Sequence, residues 1–290
     1  MIDYIELGAT LFIPATHKDL EIIVDDKKYK NLKSVLIDTE DSIANSELKD
    51  ALINVQNTVK NMQKTKLLVF IRPRSIKILK QMLEYKNIEN IDGFILPKFS
   101  LDNVDKYLKI FFNTKFYLMP SIEGQELFDV SKLIQLRDKL LEQKEKIILV
   151  RFGLEDMLKQ LKMRRKCEES IFDFSVTSSV LGNFLAIFKS SGFEVSGGVY
   201  PCFKDNEGFR KDVIRDLKEG LFSKTIIHPS QIDIAHDVYK VSQKEYQEAK
   251  EICTTKSEVM NQNDKMAERK TMSPHSHYIL QRENFYGIKD

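Results

Sequence analysis

Six short apolar runs in this chain each end in a polar or charged residue, and this repetition constrains the fold more than any other feature. Such runs, near-continuous rather than alternating, are typical of strands buried on both faces of a parallel sheet. A polar residue just past the carboxyl end of many strands is how a (β/α)₈ barrel assembles its active site. The runs are Ser34–Asp38, Leu67–Arg72, Gly93–Lys98, Phe116–Glu123, Ile147–Asp156 and Thr225–His228.

Two further runs extend the series to eight strands. Ala9–Pro14 precedes the six, and Val195–Tyr200 provides a seventh strand before the last run. Between the runs, apolar residues recur every three or four positions, as on the buried face of a helix. Strand and helix therefore alternate, and eight strands favour a closed (β/α)₈ TIM barrel over an open doubly wound sheet. The clearest helical segments are Ser46–Gln63, Ile76–Tyr85, Ser131–Glu142 and Val180–Phe188.

The chain changes character after about residue 240. Lys244–Thr255 has the pattern of an amphipathic helix, Thr254–Glu268 is polar, and the tail His275–Tyr286 contains several aromatic residues. We expect a TIM-barrel domain over residues 1–240 and a small C-terminal helical extension over residues 241–290. The apolar groups of the extension predict that it packs across the barrel or onto a neighbouring subunit. We therefore expect a homo-oligomer.

Composition argues against several classes of protein. The formal net charge is +2, from 45 basic and 43 acidic residues, which gives no general attraction to nucleic acid or anionic membrane. No apolar stretch approaches the ~20 residues of a membrane span, and the start of the chain lacks a signal-peptide pattern. Cys167, Cys202 and Cys253 are interpreted as scattered thiols, too few for a disulfide framework or a thiolate zinc site. We expect a cytoplasmic protein that binds neither nucleic acid nor membrane.

Glu123 and Asp156 are the strongest candidates for chemistry. Each lies just beyond an apolar run, on consecutive predicted strands, so a barrel would bring both to the same face. Two carboxylates there can hold a hard divalent cation, with water and substrate oxygens completing the octahedron. The alternative is that both are acids at helix N-termini, favoured by the helix dipole. The spacing and the ligand type favour a metal site for Mg²⁺.

A second group of charged residues follows three earlier strands. Asp38, Glu40 and Asp41 form an acidic cluster that can orient metal-bound water, or alternatively cap the following helix. Arg72 has a planar fork suited to a carboxylate. Lys98 can contact an anionic substrate or pair with one of the acids. We therefore place all five residues among the candidate catalytic groups.

His228 is a candidate substrate-binding residue after the last strand, and it can also act as an acid or base. A histidine that is only hydrogen-bonded at a barrel rim is the alternative. The sequence lacks a Gly-rich dinucleotide fingerprint, a P-loop, a nucleophile elbow and a zinc-protease motif. The carboxylate pair favours metal-assisted enolate chemistry over a Schiff base on Lys98.

These strand ends resemble those of the citrate lyase β-subunit group in the HpcH/HpaI aldolase superfamily. The matches occur in order over residues 9 to 231, so together they are specific although each is short. The similar segments are Gly8–Ala15, Leu36–Ser42, Ile71–Pro73, Gly93–Lys98, Pro120–Glu123, Phe152–Asp156 and Ile227–Gln231. Residues 171–193 and the tail ending at Gly287 resemble a divergent subgroup of C–C bond lyases encoded beside tellurium- and stress-resistance genes.

The resemblance implies a barrel in which Glu123 and Asp156 bind Mg²⁺ and Arg72 binds the oxo-acid end of the substrate. It also implies cleavage or formation of a carbon–carbon bond through a metal-stabilised enolate. The substrate is then a 2-oxo acid or 3-hydroxy acid, either free or as an acyl thioester of coenzyme A or an acyl carrier protein. Two alternatives remain: a class II aldolase for free 2-oxo acids, and a catalytically idle barrel subunit of a larger assembly.

Overall fold

A computed structural model describes residues 2–289, and its centre is a parallel β-sheet whose strands alternate with helices. The order of the strands is β6-β5-β4-β3-β2-β1-β7, and every pairing is parallel. The predicted α/β class is therefore confirmed. The strands are β1 (Thr10–Pro14), β2 (Ser34–Asp38), β3 (Leu68–Arg72), β4 (Gly93–Leu96), β5 (Tyr117–Ile122), β6 (Arg151–Phe152) and β7 (Thr225–Ile226).

Helices connect these strands, and four of them fall where the apolar spacing predicts a helix. In α2, for example, the buried residues Ala51, Val55 and Val59 recur at four-residue intervals and form one apolar face. No helix within residues 2–289 is long and apolar enough to cross a bilayer. The helices are α1 (Leu20–Val24), α2 (Leu48–Asn61), α3 (Ile76–Met82), α4 (Val104–Phe111), α5 (Val130–Leu141), α6 (Leu154–Gln160), α7 (Ser175–Ser190), α8 (Asn206–Lys218), α9 (Gln231–Tyr239), α10 (Gln243–Thr254) and α11 (Arg269–Tyr286).

The core inside the curved sheet is a layer of side chains from successive strands. Leu36, Phe70, Ile95 and Met119 come from β2, β3, β4 and β5, and all are buried in one apolar cluster. Barrel interiors are filled in this way by inward-facing side chains at matching heights. Because this layer fills the centre of the sheet, the residues at the carboxyl ends of the strands lie above a packed floor.

The seventh predicted strand, Val195–Tyr200, is shorter than expected. Only Val195 and Ser196 pair, through isolated parallel bridges to Val150 and Phe222. These bridges lie between the chain leading into β6 and the chain leading into β7, the two edge strands of the sheet.

The predicted strand ends early because its later backbone groups find other partners. The carbonyl of Gly197 still accepts a hydrogen bond from the N–H of Thr225, at 3.2 Å. The carbonyl of Val199 instead accepts one from Nη2 of Arg165, at 2.6 Å. At Val199 a side chain thus takes the place of the neighbouring strand. The strand ends there because a strand continues only while its backbone groups pair with those of a neighbouring strand.

The interpretation of three scattered thiols is wrong for two of the cysteines. Cys167 and Cys202 form a disulfide with their Cα atoms 5.8 Å apart, whereas Cys253 is free. The two cysteines are 35 residues apart in sequence, so the pairing depends on how the fold returns the chain after α7. The hydroxyl of Tyr200 donates to the carbonyl of Cys167 at 2.7 Å and reinforces this link.

Residues up to Ile232 form one compact unit, and residues from Asp233 onward form a second. In the second unit, α10 packs on α11 around the buried residues Val241 and Ile279. The side chain of Arg282 is buried and donates from Nε and Nη2 to the carbonyl of Tyr239, at 3.1 and 3.0 Å.

A β-hairpin separates α10 from α11, in the stretch that the sequence shows only as polar. Its strands are β8 (Val259–Gln262) and β9 (Lys265–Glu268), paired antiparallel. The two-residue loop, Asn263 and Asp264, has φ values of 52° and 61°. Two consecutive left-handed residues are the requirement of a tight hairpin turn, and Asn and Asp tolerate that conformation better than most residues.

Candidate active site

Asp38 and Arg72 end neighbouring strands in register, and their side chains form a bidentate ion pair. Nε of Arg72 donates to Oδ1 of Asp38 at 2.7 Å, and Nη2 donates to Oδ2 at 2.8 Å. Asp38 also accepts hydrogen bonds from the backbone N–H groups of Glu40 and Ser42. The carboxylate thus fixes both the guanidinium and the turn that follows β2.

The rest of the acidic cluster lies on the remaining side of the same guanidinium. Nη1 of Arg72 is 3.1 Å from Oε2 of Glu40 and 3.5 Å from Oδ2 of Asp41. Glu40 is buried and accepts a hydrogen bond from Nζ of Lys98, whereas Asp41 is exposed. The alternative that Asp41 caps the next helix is wrong, because α2 begins at Leu48.

Burial and charge act differently on the two buried acids of the cluster. Burial would raise the pKa of Asp38, but the hydrogen bonds and charge of Arg72 outweigh it and lower that pKa. For Glu40, burial outweighs the charge of Arg72 and the hydrogen bond from Lys98, and it raises the pKa to about 7. Asp38 is therefore an anion near neutral pH, whereas Glu40 can gain or lose a proton there.

Glu123 follows β5 and is held by the end of the neighbouring strand. Its Oε1 accepts the backbone N–H of Lys98 at 2.7 Å, and its Oε2 accepts the hydroxyl of Ser121 at 3.0 Å. Lys98 has φ of +47°, a left-handed conformation that is uncommon for a residue with a side chain. Strained backbone of this kind is concentrated at functional sites, where the surrounding structure holds it.

Asp156 approaches Glu123 from the first turn of α6. It is therefore also an acid at a helix N-terminus, which the sequence analysis gives as the alternative to a metal ligand. Gly153, between β6 and α6, makes the approach possible. A Cβ atom there would lie 2.2 Å from the Cβ of Glu123 and 2.8 Å from its Cα. Only a glycine lets the backbone after β6 come so close to the end of β5.

The carboxylate oxygens of Glu123 and Asp156 suit a hard divalent cation. Burial raises the pKa of Glu123, and the negative charge of Asp156 raises it further, against the hydrogen bond from Lys98. Two carboxylates that repel each other are stabilised by a cation between them. Within residues 2–289, no three His, Cys, Asp or Glu side chains form a metal-binding group. The chain thus offers two carboxylates, and Mg²⁺ commonly takes its remaining ligands from water and substrate.

A cavity of about 280 Å³ opens over these carboxylates. Arg72, Ser121, Glu123 and Asp156 line it, and so does Arg151 of β6. The sequence interpretation missed Arg151 as a site residue, although a charge inside an otherwise apolar strand was a visible signal. Strand alternation directs this side chain to the inner face of the curved sheet, toward Phe12 and Thr225.

Arg151 is a buried cation, 6% exposed, with few partners. Its Nη2 donates to Oγ1 of Thr225, and its guanidinium carbon lies 4.9 Å from the centre of the Phe12 ring. Arg72 lies over the same ring at 5.6 Å. Burial, together with the positive charge of Arg72, lowers the pKa of Arg151 to about 9.

His228 lies apart from this group. It does not line the cavity that holds Glu123 and Asp156. Its ring stacks on Phe203 at 4.9 Å, and its Nδ1 shares a hydrogen bond of 2.8 Å with the hydroxyl of Ser230. The geometry is that of a histidine fixed at the rim, which is the alternative considered for it.

Parts of this sequence match the sequences of known proteins. The chain spans about a third of a (3S)-malyl-CoA thioesterase from Cereibacter sphaeroides, with 32% identity over 93 residues (32% of this chain and 31% of that protein). It spans about half of the citrate lyase subunit beta of Escherichia coli, with 25% identity over 153 residues (50% of this chain and 49% of that protein). Both matches support the resemblance to the citrate lyase β-subunit group.

Solved structures show the same fold over nearly the whole chain. The CitE protein of Mycobacterium tuberculosis, in complex with magnesium, acetoacetate and coenzyme A, superposes with a TM-score of 0.70 at 16% identity. The superposition covers 96% of this chain and 98% of that one. A family model described as "C-C_Bond_Lyase of the TIM-Barrel fold" matches residues 1–288. The chain therefore belongs to the C–C bond lyase family of the TIM-barrel fold, as a relative of the citrate lyase β-subunit.

Proposed function

We propose that this protein is an Mg²⁺-dependent lyase that cleaves or forms a carbon–carbon bond next to a 2-oxo acid. In the cleavage direction, the hydroxyl of a 3-hydroxy acid loses its proton and its carbon becomes the oxo carbon. The electron pair of the broken bond passes to the neighbouring carbon, which forms an enolate and then takes up a proton. The observation that carries the proposal is the pair of Glu123 and Asp156 at the cavity floor.

Glu123 and Asp156 would hold the metal through carboxylate oxygens. When bound there, Mg²⁺ supplies a Lewis acid for the oxygens of the oxo acid. The backbone N–H of Lys98 and the hydroxyl of Ser121 orient Glu123 from behind. Such outer hydrogen bonds fix the direction in which a carboxylate presents its lone pairs.

The charged cluster beside the metal ligands has two roles in this proposal. Arg72, fixed by Asp38, places positive charge where negative charge develops on the reacting oxygen. Glu40, with a pKa of about 7, is suited to transfer a proton or to orient a water molecule that does so. Of its two exposed neighbours, Lys98 lowers this pKa and Asp41 raises it.

We also infer that the curved sheet closes into a barrel of eight strands. Val195 and Ser196 bridge the chain entering β6 to the chain entering β7, and β7 pairs with β1. This short segment would serve as the seventh strand and complete the ring. The family description and the superposition on the CitE protein support closure.

An acyl thioester is the favoured form of the second reactant. The malyl-CoA thioesterase and the CitE complex with coenzyme A both support a thioester partner. A class II aldolase for free 2-oxo acids would use the same carboxylates without one. A screen of oxaloacetate, pyruvate and glyoxylate, each with and without acetyl-CoA, separates these two possibilities.

Mg²⁺ titration by calorimetry tests the metal site itself. Glu123→Ala and Asp156→Ala should each weaken Mg²⁺ binding at least tenfold, because a hard cation finds little replacement for an anionic ligand beyond water. Glu84→Ala is the matched control, since this exposed carboxylate lies after α3, away from the cavity, and should leave the affinity unchanged. Wild-type Mg²⁺ affinity in both site variants would refute the site and favour an idle barrel subunit.

A further inference from the structure

Two arginines line the cavity above Glu123 and Asp156, and only one of them is neutralised by the protein. Arg72 forms ion pairs with Asp38, Glu40 and Asp41. Within the part of the chain that the structure describes, no carboxylate lies within ion-pair distance of Arg151. The guanidinium of Arg151, the first residue of β6, therefore has no carboxylate in direct contact, and only the more distant charge of Glu123 favours its charged form.

The local partners of Arg151 do not replace a counter-ion. Thr225 accepts one hydrogen bond from Nη2 but carries no charge, and the Nη1 atom has no hydrogen-bond partner. The side chain is 6% exposed, so water screens little of its charge. Burying a charge without pairing it destabilises a fold strongly. A protein that retains such a group usually does so for function.

The chemistry of the ligand that would neutralise Arg151 follows from the partners of the other charged groups in the cavity. The carboxylate beside the oxo group would be matched by the metal at Glu123 and Asp156. The bidentate edge of Arg72 is occupied by Asp38. A guanidinium recognises planar oxyanions, above all carboxylates. In this cavity the guanidinium of Arg151 therefore remains available to bind one additional carboxylate of the ligand.

We infer that Arg151 binds a second carboxylate of the substrate, so that the 2-oxo acid handled here is a dicarboxylate. This inference rests on the proposed function, because it assumes that the first carboxylate lies at Glu123 and Asp156. Arg151 then sets specificity: it separates oxo acids that differ only by a distal carboxylate. The neighbouring Thr225 hydroxyl holds the guanidinium in place.

Oxaloacetate and pyruvate are the probes that test this, because they differ by one carboxylate. Their affinities are measured by calorimetry with saturating Mg²⁺ for wild type, Arg151→Met and Arg151→Lys. We expect wild type to bind oxaloacetate more tightly than pyruvate. Arg151→Met should weaken oxaloacetate at least tenfold and pyruvate less than twofold, and Arg151→Lys should fall between. The melting temperature of Arg151→Met without substrate should not fall below that of wild type, since an unpaired charge is removed.

Arg282→Met is the matched control, because Arg282 is equally buried but its donors go to the carbonyl of Tyr239. It should lower the melting temperature and leave the ratio of the two affinities unchanged. The inference is overturned if Arg151→Met weakens the binding of oxaloacetate and of pyruvate by the same factor, or weakens neither. A melting temperature of Arg151→Met below that of wild type also overturns it. Failure of the proposed function is seen separately, as the absence of Mg²⁺ binding by wild type.

Discussion

The backbone N–H of Lys98 donates to Oε1 of Glu123 at 2.7 Å, so the end of β4 fixes the carboxylate that follows β5. The side chain of the same lysine turns the other way and donates to Glu40. One residue thereby connects the candidate metal ligand to the acidic cluster after β2. Its left-handed backbone, with φ of +47°, is the geometric condition for this double contact.

Gly153→Ala should disrupt the metal site by displacing Glu123. The added Cβ would lie 2.2 Å from the Cβ of Glu123, a distance that requires the backbone to shift. We expect Mg²⁺ affinity to fall at least tenfold and stability to fall by about 1–3 kcal/mol, as for an overpacked core. Calorimetry and urea unfolding measure the two effects.

The control for this substitution is Gly182→Ala in α7, where an added Cβ meets nothing within 4 Å. It should stabilise the protein by up to about 1 kcal/mol through helix propensity. Equal Mg²⁺ affinity in both glycine variants would contradict the steric account of Gly153.

Glu40 should make the stability of the metal-free protein depend on pH. Burial raises its pKa to about 7, above the ordinary value of 4.5. Between these values the folded state binds more protons than the unfolded state, so the free energy of unfolding decreases as pH rises. The destabilising effect is absent below about pH 4.5 and complete above about pH 7.

Glu40→Gln removes this titration. The free energy of unfolding of the variant relative to wild type should therefore increase from pH 5 to pH 8, by about 2 kcal/mol after allowance for solvent screening. Asp216, whose pKa burial raises to about 6, titrates in both proteins and cancels in the difference. A pH-independent difference would show that Glu40 keeps an ordinary pKa.

Arg72→Lys should impair the protein severely although it keeps the charge. Nε and Nη2 of Arg72 together hold both oxygens of Asp38, and an ammonium group cannot reproduce that fork. We expect kcat/KM to fall at least 100-fold on whichever oxo acid proves active. Arg137→Lys, at a partly exposed ion pair with Asp138, should change kcat/KM less than twofold. Near-normal turnover of Arg72→Lys would mean that a point charge suffices.

Truncation after Val241 should lower solubility or break an oligomer. It removes α10 and α11, and with them Ile279 and the side chain of Arg282 that binds the carbonyl of Tyr239. Val241 and Tyr239, both buried in the whole chain, would lose these partners, at roughly 1.5–3 kcal/mol for each side chain exposed. We also predict a larger loss of activity than of Mg²⁺ binding. Sedimentation measures the mass, and a soluble, fully active truncated protein of native mass would contradict the prediction.

The parts of the fold that depend on local pattern were predictable from sequence. The strand ends at Asp38 and Arg72 follow from apolar runs, and parallel register then brings the two side chains together. Helix α2 follows from its four-residue apolar spacing. Such features were accessible because buried strands and amphipathic helices have characteristic periods.

Features that depend on partners distant in sequence were not predictable. The disulfide between Cys167 and Cys202 requires knowing where the chain returns after α7. The early end of the seventh strand depends on Arg165 capturing the carbonyl of Val199. Arg151 was visible as a charge within an apolar run, but its missing counter-ion emerges only from the three-dimensional surroundings.

Phe12 lies beneath both cavity arginines, with their guanidinium carbons 5.6 Å and 4.9 Å from its ring centre. Each cation gains from the electron-rich face of an aromatic ring, and each loses from the positive charge of the other. The effects of replacing Arg72 and Arg151 are therefore not independent. A double mutant should deviate from the sum of the two single mutants, and a change of Phe12 to an aliphatic residue should alter that deviation. The three side chains therefore act as one unit, in which the aromatic ring at position 12 offsets part of the repulsion between the two arginines.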